Sequence, residues 1–112
     1  MKALDLNKAK KQSFPVTMMD DAKTVFSLTV PNLATLEELK SISAEFEGAI
    51  NNDESSLSAC YDVAAKLFSC NRIGIPVTGD ELRDKYKMEL EDLILFFSAY
   101  TEFISELTAL KN

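Results

Sequence analysis

The 112-residue chain contains no histidine. That absence removes the side chain most often used as a general base near neutral pH and the commonest nitrogen ligand for a metal. A Ser, Thr or Cys nucleophile would therefore lack its usual activator. Glycine is almost as scarce: only Gly48, Gly74 and Gly79 occur, and no two have the spacing of a phosphate-binding loop. Long apolar runs are missing too. The densest, LILFF from Leu93 to Phe97, falls far short of the roughly 20 residues that span a bilayer. The opening MKALDLNKAKKQ has lysines with no apolar stretch behind them, so the core of a secretory signal is lacking and a cytoplasmic location is expected. Positive charge is outnumbered, 12 Lys and Arg against 18 Asp and Glu, for a net charge of -6. Such a field repels phosphate backbones and argues against nucleic acid as a partner.

The two cysteines, Cys60 and Cys70, fall on one predicted helix, separated along its axis by roughly 15 Å, too far for a disulfide. They read as small buried hydrophobes in a reducing compartment. What the chain does hold is 46% hydrophobic and 27% charged residues, the composition of one ordinary globular domain. A chain of this mass buries roughly two-thirds of the area its unfolded form exposes, so it needs no metal or disulfide to fold.

Periodicity divides the chain. Residues 1–12 are Lys-rich without a sustained period and read as a flexible basic arm, leaving 13–112 as a single domain. Phe14, Val16 and Met18 share one parity; after DDAK, so do Phe26, Leu28 and Val30. Period two on both sides of a polar turn predicts a β-hairpin with one apolar face, ended by Pro31. A lone hairpin is marginal in water, so that face must lie on helices or join another copy's sheet. From there the period is helical. TLEE offers a capping box through Thr35 and Glu38, followed by Leu36, Leu39, Ile42, Phe46 and Ile50 at helical spacing. This predicts a first helix to about Gly48. NNDESS supplies a turn and an acid-rich helix start, and Leu57, Cys60, Tyr61, Ala64, Leu67 and Phe68 then line one face of a second helix. TGDE forms another capping box through Thr78 and Glu81, opening a short third helix over about 79–86. The fold class is thus α+β, mainly α: an N-terminal hairpin followed by three or four helices.

The last helix, starting near Met88, is apolar around much of its circumference. Leu90, Leu93, Ile94, Phe97 and Ile104 form one stripe; Phe96, Ala99, Tyr100, Phe103, Leu107 and Leu110 form an adjacent one. Together they cover roughly 220°, where a surface helix shows a stripe of about 100°. Two layers must cover such a helix. Phe96, Tyr100, Phe103, Leu107 and Leu110 are therefore the candidate interface, facing another copy or a client, with Leu93, Phe97 and Ile104 as core. The competing reading is a central helix covered by the chain's own elements.

Chemistry-bearing motifs are weak. Glu89 with Asp92 and Asp80 with Asp84 sit at helix starts or on polar faces, where solvated acids are ordinary. DESSLSACYDV lacks the mid-loop glycine and ligand spacing of a calcium loop. Phe96, Phe97, Tyr100 and Phe103 have no basic groove that would turn stacking rings toward nucleic acid. No catalytic residue, metal or cofactor is expected, and binding to protein partners is the remaining class.

The order of the Lys-rich start, the hairpin FPVTMMDDAKTVFSLTV, Pro31, a helix, NNDESS, a helix, NRIGIPVTGDEL and the terminal EDLILFFSAYTEFISEL resembles small prophage proteins of Gram-positive bacteria. Those proteins are similar in size and layout to tail assembly chaperones of long-tailed phages. The resemblance spans nearly the whole chain and implies a non-enzymatic protein that binds the tape measure protein in the host cytoplasm during tail assembly, with possible homo-oligomers. A minor structural virion component and a small acidic, antitoxin-like regulator are the alternatives, the latter using its charge to neutralise a basic partner.

Overall fold

A computed structural model describes residues 13–109; the arm assigned to 1–12, and Leu110, lie outside the described residues. An antiparallel hairpin opens the fold, with β1 (Phe14–Thr17) paired to β2 (Val25–Leu28). Its connection is fixed by Asp20, which accepts from the Thr24 backbone N–H at 2.8 Å and its hydroxyl at 2.6 Å. These two bonds lower the Asp20 pKa from its ordinary value. Met18 N donates to Thr24 O at 2.7 Å. Bonded pairs alternate along an antiparallel ladder, so in β1 the backbone groups of Phe14, Val16 and Met18 face β2, and those of Pro15 and Thr17 face away.

The outer edge of β2 is covered. Thr29 N donates to Cys70 O at 2.8 Å, Arg72 N donates to Ser27 O at 3.0 Å, and Leu28 bridges Asn71. This pairing takes over where the strand ends, three residues before Pro31, and Val30 is left exposed. The apolar face of the hairpin is the expected one: Phe14 and Val16 are half-buried, and Met18, Phe26 and Leu28 are buried.

The expected first helix is two. α1 (Leu33–Lys40) and α2 (Ile42–Ile50) meet at Ser41. There the Ser41 hydroxyl bonds back to Glu37 O at 3.3 Å, a contact that bends helices. Asn32 rather than Thr35 caps α1, accepting from Thr35 N at 2.9 Å. Ile50 ends α2 exposed instead of continuing the buried face. Asn52, at φ 66°, and a bond from Asp53 N to Gly48 O at 3.0 Å close α2 in the manner of a Schellman motif. Asp53 then caps α3 (Glu54–Ser69), accepting from Ser55 N at 3.0 Å and Ser56 N at 3.4 Å. The Ser55 and Ser56 bonds lower its pKa.

After α3, Asn71 organises the next turn from within. Its buried side chain donates to Phe68 O and Ile75 O at 2.8 and 2.7 Å and accepts from Ile75 N at 3.0 Å. The Thr78–Glu81 capping box forms in both directions, each backbone bond 3.1 Å long. The short helix it opens is wound as a π turn over Glu81–Lys85. Lys87, at φ 53°, reverses the chain into α4 (Leu90–Ala109). Asp92 reaches back to accept from Glu89 N at 2.8 Å, satisfying one of the orphan donors of a helix start.

The core is aromatic and lies where α3, α4 and the hairpin meet. Phe68 of α3 stacks on Phe96 of α4 at 4.5 Å and meets Phe26 of β2 edge-on at 5.7 Å. From α2, Phe46 meets Phe97 at 5.2 Å. Both cysteines are free, Cys60 within this core.

Candidate binding groove

Both stripes of α4 are occupied by the chain itself along most of their length. Phe103, 9% exposed, stacks on Phe14 at 5.4 Å, and Phe14 meets Tyr100 edge-on at 5.9 Å. Tyr100 is fully buried, and its hydroxyl donates to Thr29 O at 2.9 Å, tying α4 to the end of β2. Phe96 is covered by Phe68. Of the five candidate interface residues, Phe96, Tyr100 and Phe103 are thus internal, Leu107 is half-buried against the core, and Leu110 lies outside the described residues. The expectation that Phe96 and Phe103 face outward is corrected. The hairpin, which needs a helical surface under its apolar side, takes this stripe, while Phe97, 2% exposed, is core as expected.

What α4 leaves open is a line of residues that takes in Ala99, the exposed member of the second stripe. Asp92, Leu95, Ala99, Glu102 and Glu106 follow one another at intervals of three or four, which places them on one face. Leu95 is 70% exposed. This face and β1 enclose a groove of about 340 Å³ whose walls are Phe14–Met19 on one side and Met88, Asp92, Leu95, Phe96 and Ala99 on the other. A second hollow, bordered by Ser13, Glu102, Phe103 and Glu106, continues it along the helix, the two sharing Phe14 and Ala99. No residue of β2 lines either, so the groove runs along the edge of β1 away from β2, which pairs with no other strand among the described residues.

The lining is apolar in the middle and acidic toward its ends. Lys66 pairs with Glu38, joining α3 to α1, and Asp92, Glu102 and Glu106 have no cationic partner among the described residues. Leu95 was not assigned to either apolar stripe by the helical wheel. The signal was there, since it interrupts a polar face made by Glu91, Ser98 and Glu102.

Groups with shifted protonation are dispersed and structural. Burial raises the Cys60 thiol to about 11, with the Glu45 carboxylate adding to it. Burial likewise raises Cys70, Tyr61 and, most strongly, the Tyr100 phenol. Tyr61 donates its hydroxyl to Met88 O while Arg83 lies over its ring at 4.6 Å, a contact that braces the π turn against α3. Thiols held protonated in a core are inert rather than nucleophilic. Among the described residues, no three His, Cys, Asp or Glu side chains converge as a metal site, and no helix is long and apolar enough to cross a membrane. Among the described residues, the groove thus offers a strand edge without a neighbouring strand, an exposed leucine and carboxylates without a cationic partner, which are means of binding. Compared with protein-family models, curated proteins and solved structures, the chain matches none.

Proposed function

We propose that the protein is a non-enzymatic binding protein whose groove between β1 and α4 receives an apolar segment of a partner protein. The single observation that carries this reading is Leu95, exposed on α4 in a groove whose other wall is a strand edge with no neighbouring strand among the described residues. An exposed large side chain beside outward-facing strand backbone is a surface suited to a peptide. The resemblance in layout to tail assembly chaperones names the client class: the long tape measure protein of the phage genome that encodes this chain, kept from aggregating in the host cytoplasm while the tail is built. The test is light scattering of that tape measure protein produced with and without this chain. The wild-type chain is expected to keep the client in solution. Leu95→Glu is expected to lose that effect while its helical circular dichroism stays unchanged. A client that aggregates equally with and without the wild-type chain contradicts the reading.

The acidic regulator is the second reading, favoured by the carboxylates Asp92, Glu102 and Glu106 at the groove ends, which have no cationic partner among the described residues. It differs in the partner: a compact basic protein whose activity the chain suppresses.

A further inference from the structure

Two features of the groove constrain the shape and charge of its occupant. Along β1, Pro15 and Thr17 turn their backbone groups outward, giving two carbonyls and the Thr17 N–H; Pro15 has no N–H to offer. Below that edge the α4 line runs Asp92, Leu95, Ala99, Glu102, Glu106, with acids at both ends and the apolar pair between them. At 1.5 Å per residue this line is about 21 Å long, the length of an extended segment of roughly six or seven residues.

We propose that the groove takes an extended, basic segment of a partner protein as a third strand beside β1. On the side turned to α4, apolar side chains in the middle of the segment cover Leu95 and Ala99, and lysines or arginines at its two ends meet Asp92 and the Glu102–Glu106 pair. The hairpin becomes a three-stranded sheet closed over α4. Affinity comes from main-chain bonds to Thr17 and Pro15, and selectivity from charge. A second copy of this chain fits less well, because each copy carries a net charge of -6 and Pro15 removes a donor from any β1 to β1 ladder. The proposal rests on the groove being a binding site, and not on the client being a tape measure protein.

The experiment uses the full chain, isotopically labelled, and two synthetic heptapeptides with valine at the third and fifth positions and threonine at the second, fourth and sixth, one with lysine and the other with glutamate at both ends. In the free protein the Thr17 amide is expected to exchange rapidly with solvent. Adding the lysine peptide is expected to slow that exchange by about tenfold or more and to shift the Leu95 and Ala99 resonances saturably, with binding that weakens as salt is raised. The glutamate peptide is expected not to bind, and the double variant Asp92→Lys, Glu102→Lys is expected to reverse the preference. The proposal is overturned by absence of saturable binding, by equal binding of both peptides, or by binding that leaves Thr17 exchange unchanged. It is also overturned if Thr17 is already protected in the free protein, which would mean that residues 1–12 or a second copy fill the edge; sedimentation distinguishes these. Because no client is present, failure of the chaperone reading leaves this result standing.

Discussion

Replacing Phe103 by glutamate should strongly destabilise the domain, whereas the same replacement at Leu95, two turns earlier on α4, should scarcely be felt. Phe103 is 9% exposed and stacks on Phe14 while lying 5.8 Å from Tyr100. Removing a buried phenylalanine ring costs about 3 kcal/mol or more. Placing a carboxylate with no cationic partner in its stead adds at least another 1 kcal/mol. A total of about 4 kcal/mol is a large part of the 5–15 kcal/mol that holds a typical domain together. For a chain of this length it corresponds to a fall in Tm of roughly 15 °C. Leu95 gives up little on substitution because its side chain is mostly in water, so the change should stay within about 0.5 kcal/mol. Thermal and urea denaturation followed by circular dichroism measure both variants against the wild type. A Phe103→Glu protein within 1 kcal/mol of wild type, or a Leu95→Glu protein destabilised as strongly as Phe103→Glu, would refute the placement of the hairpin on α4.

Lys87 holds a left-handed conformation at φ 53°, which suits glycine better than lysine. Lys87→Gly should therefore raise stability by about 0.5 kcal/mol, read as a higher urea midpoint. Gly48→Ala should act in the opposite direction, since an added Cβ would lie 2.7 Å from Ser56 Cβ across the α2–α3 contact. A loss of about 1–3 kcal/mol is expected by the same assay. Alkaline pH should weaken the fold: with Cys60 held up at about 11 and the Tyr100 phenol raised by burial, the unfolded chain ionises first. Stability is complete below the thiol's ordinary pKa of about 8.5 and falls from there toward pH 11, with Tyr100 adding its loss above about pH 10. Urea midpoints across pH 7–11 test this, and Tyr100→Phe should flatten the uppermost part of the fall. Asn71→Ala removes two hydrogen bonds to Ile75 and one to Phe68 O and should cost about 2 kcal/mol.

Elements with a strong local pattern were legible in the sequence. The parity of Phe14, Val16 and Met18 placed β1 and its inward face, and the Thr78–Glu81 box formed as its spacing implies. The acids before Leu57 pointed to the start of α3, with Asp53 as the cap. The break at Ser41 was not legible, because a serine hydroxyl turning back on Glu37 O leaves no trace in hydrophobic spacing. Nor was the β2 edge bond to Cys70, a pairing 41 residues distant in sequence. The burial of Phe96, Tyr100 and Phe103 within the chain was not legible, for a physical reason. The wheel showed that α4 needs two covering layers, but not that the hairpin supplies one of them. Once Phe14 sits on Tyr100 and Phe103, the exposed side of α4 is the line through Leu95, where one leucine among polar residues makes too faint a period to stand out.

The central claim, that the groove between β1 and α4 is where this protein meets its client, is tested most directly by site-specific photo-crosslinking. A photoreactive residue is placed at Leu95 and, in a separate protein, at Ile50, which is 62% exposed on α2. Each is produced together with the tape measure protein. The account predicts an adduct containing the client from position 95 and none from position 50; no adduct at 95, or equal adducts at both, would contradict it.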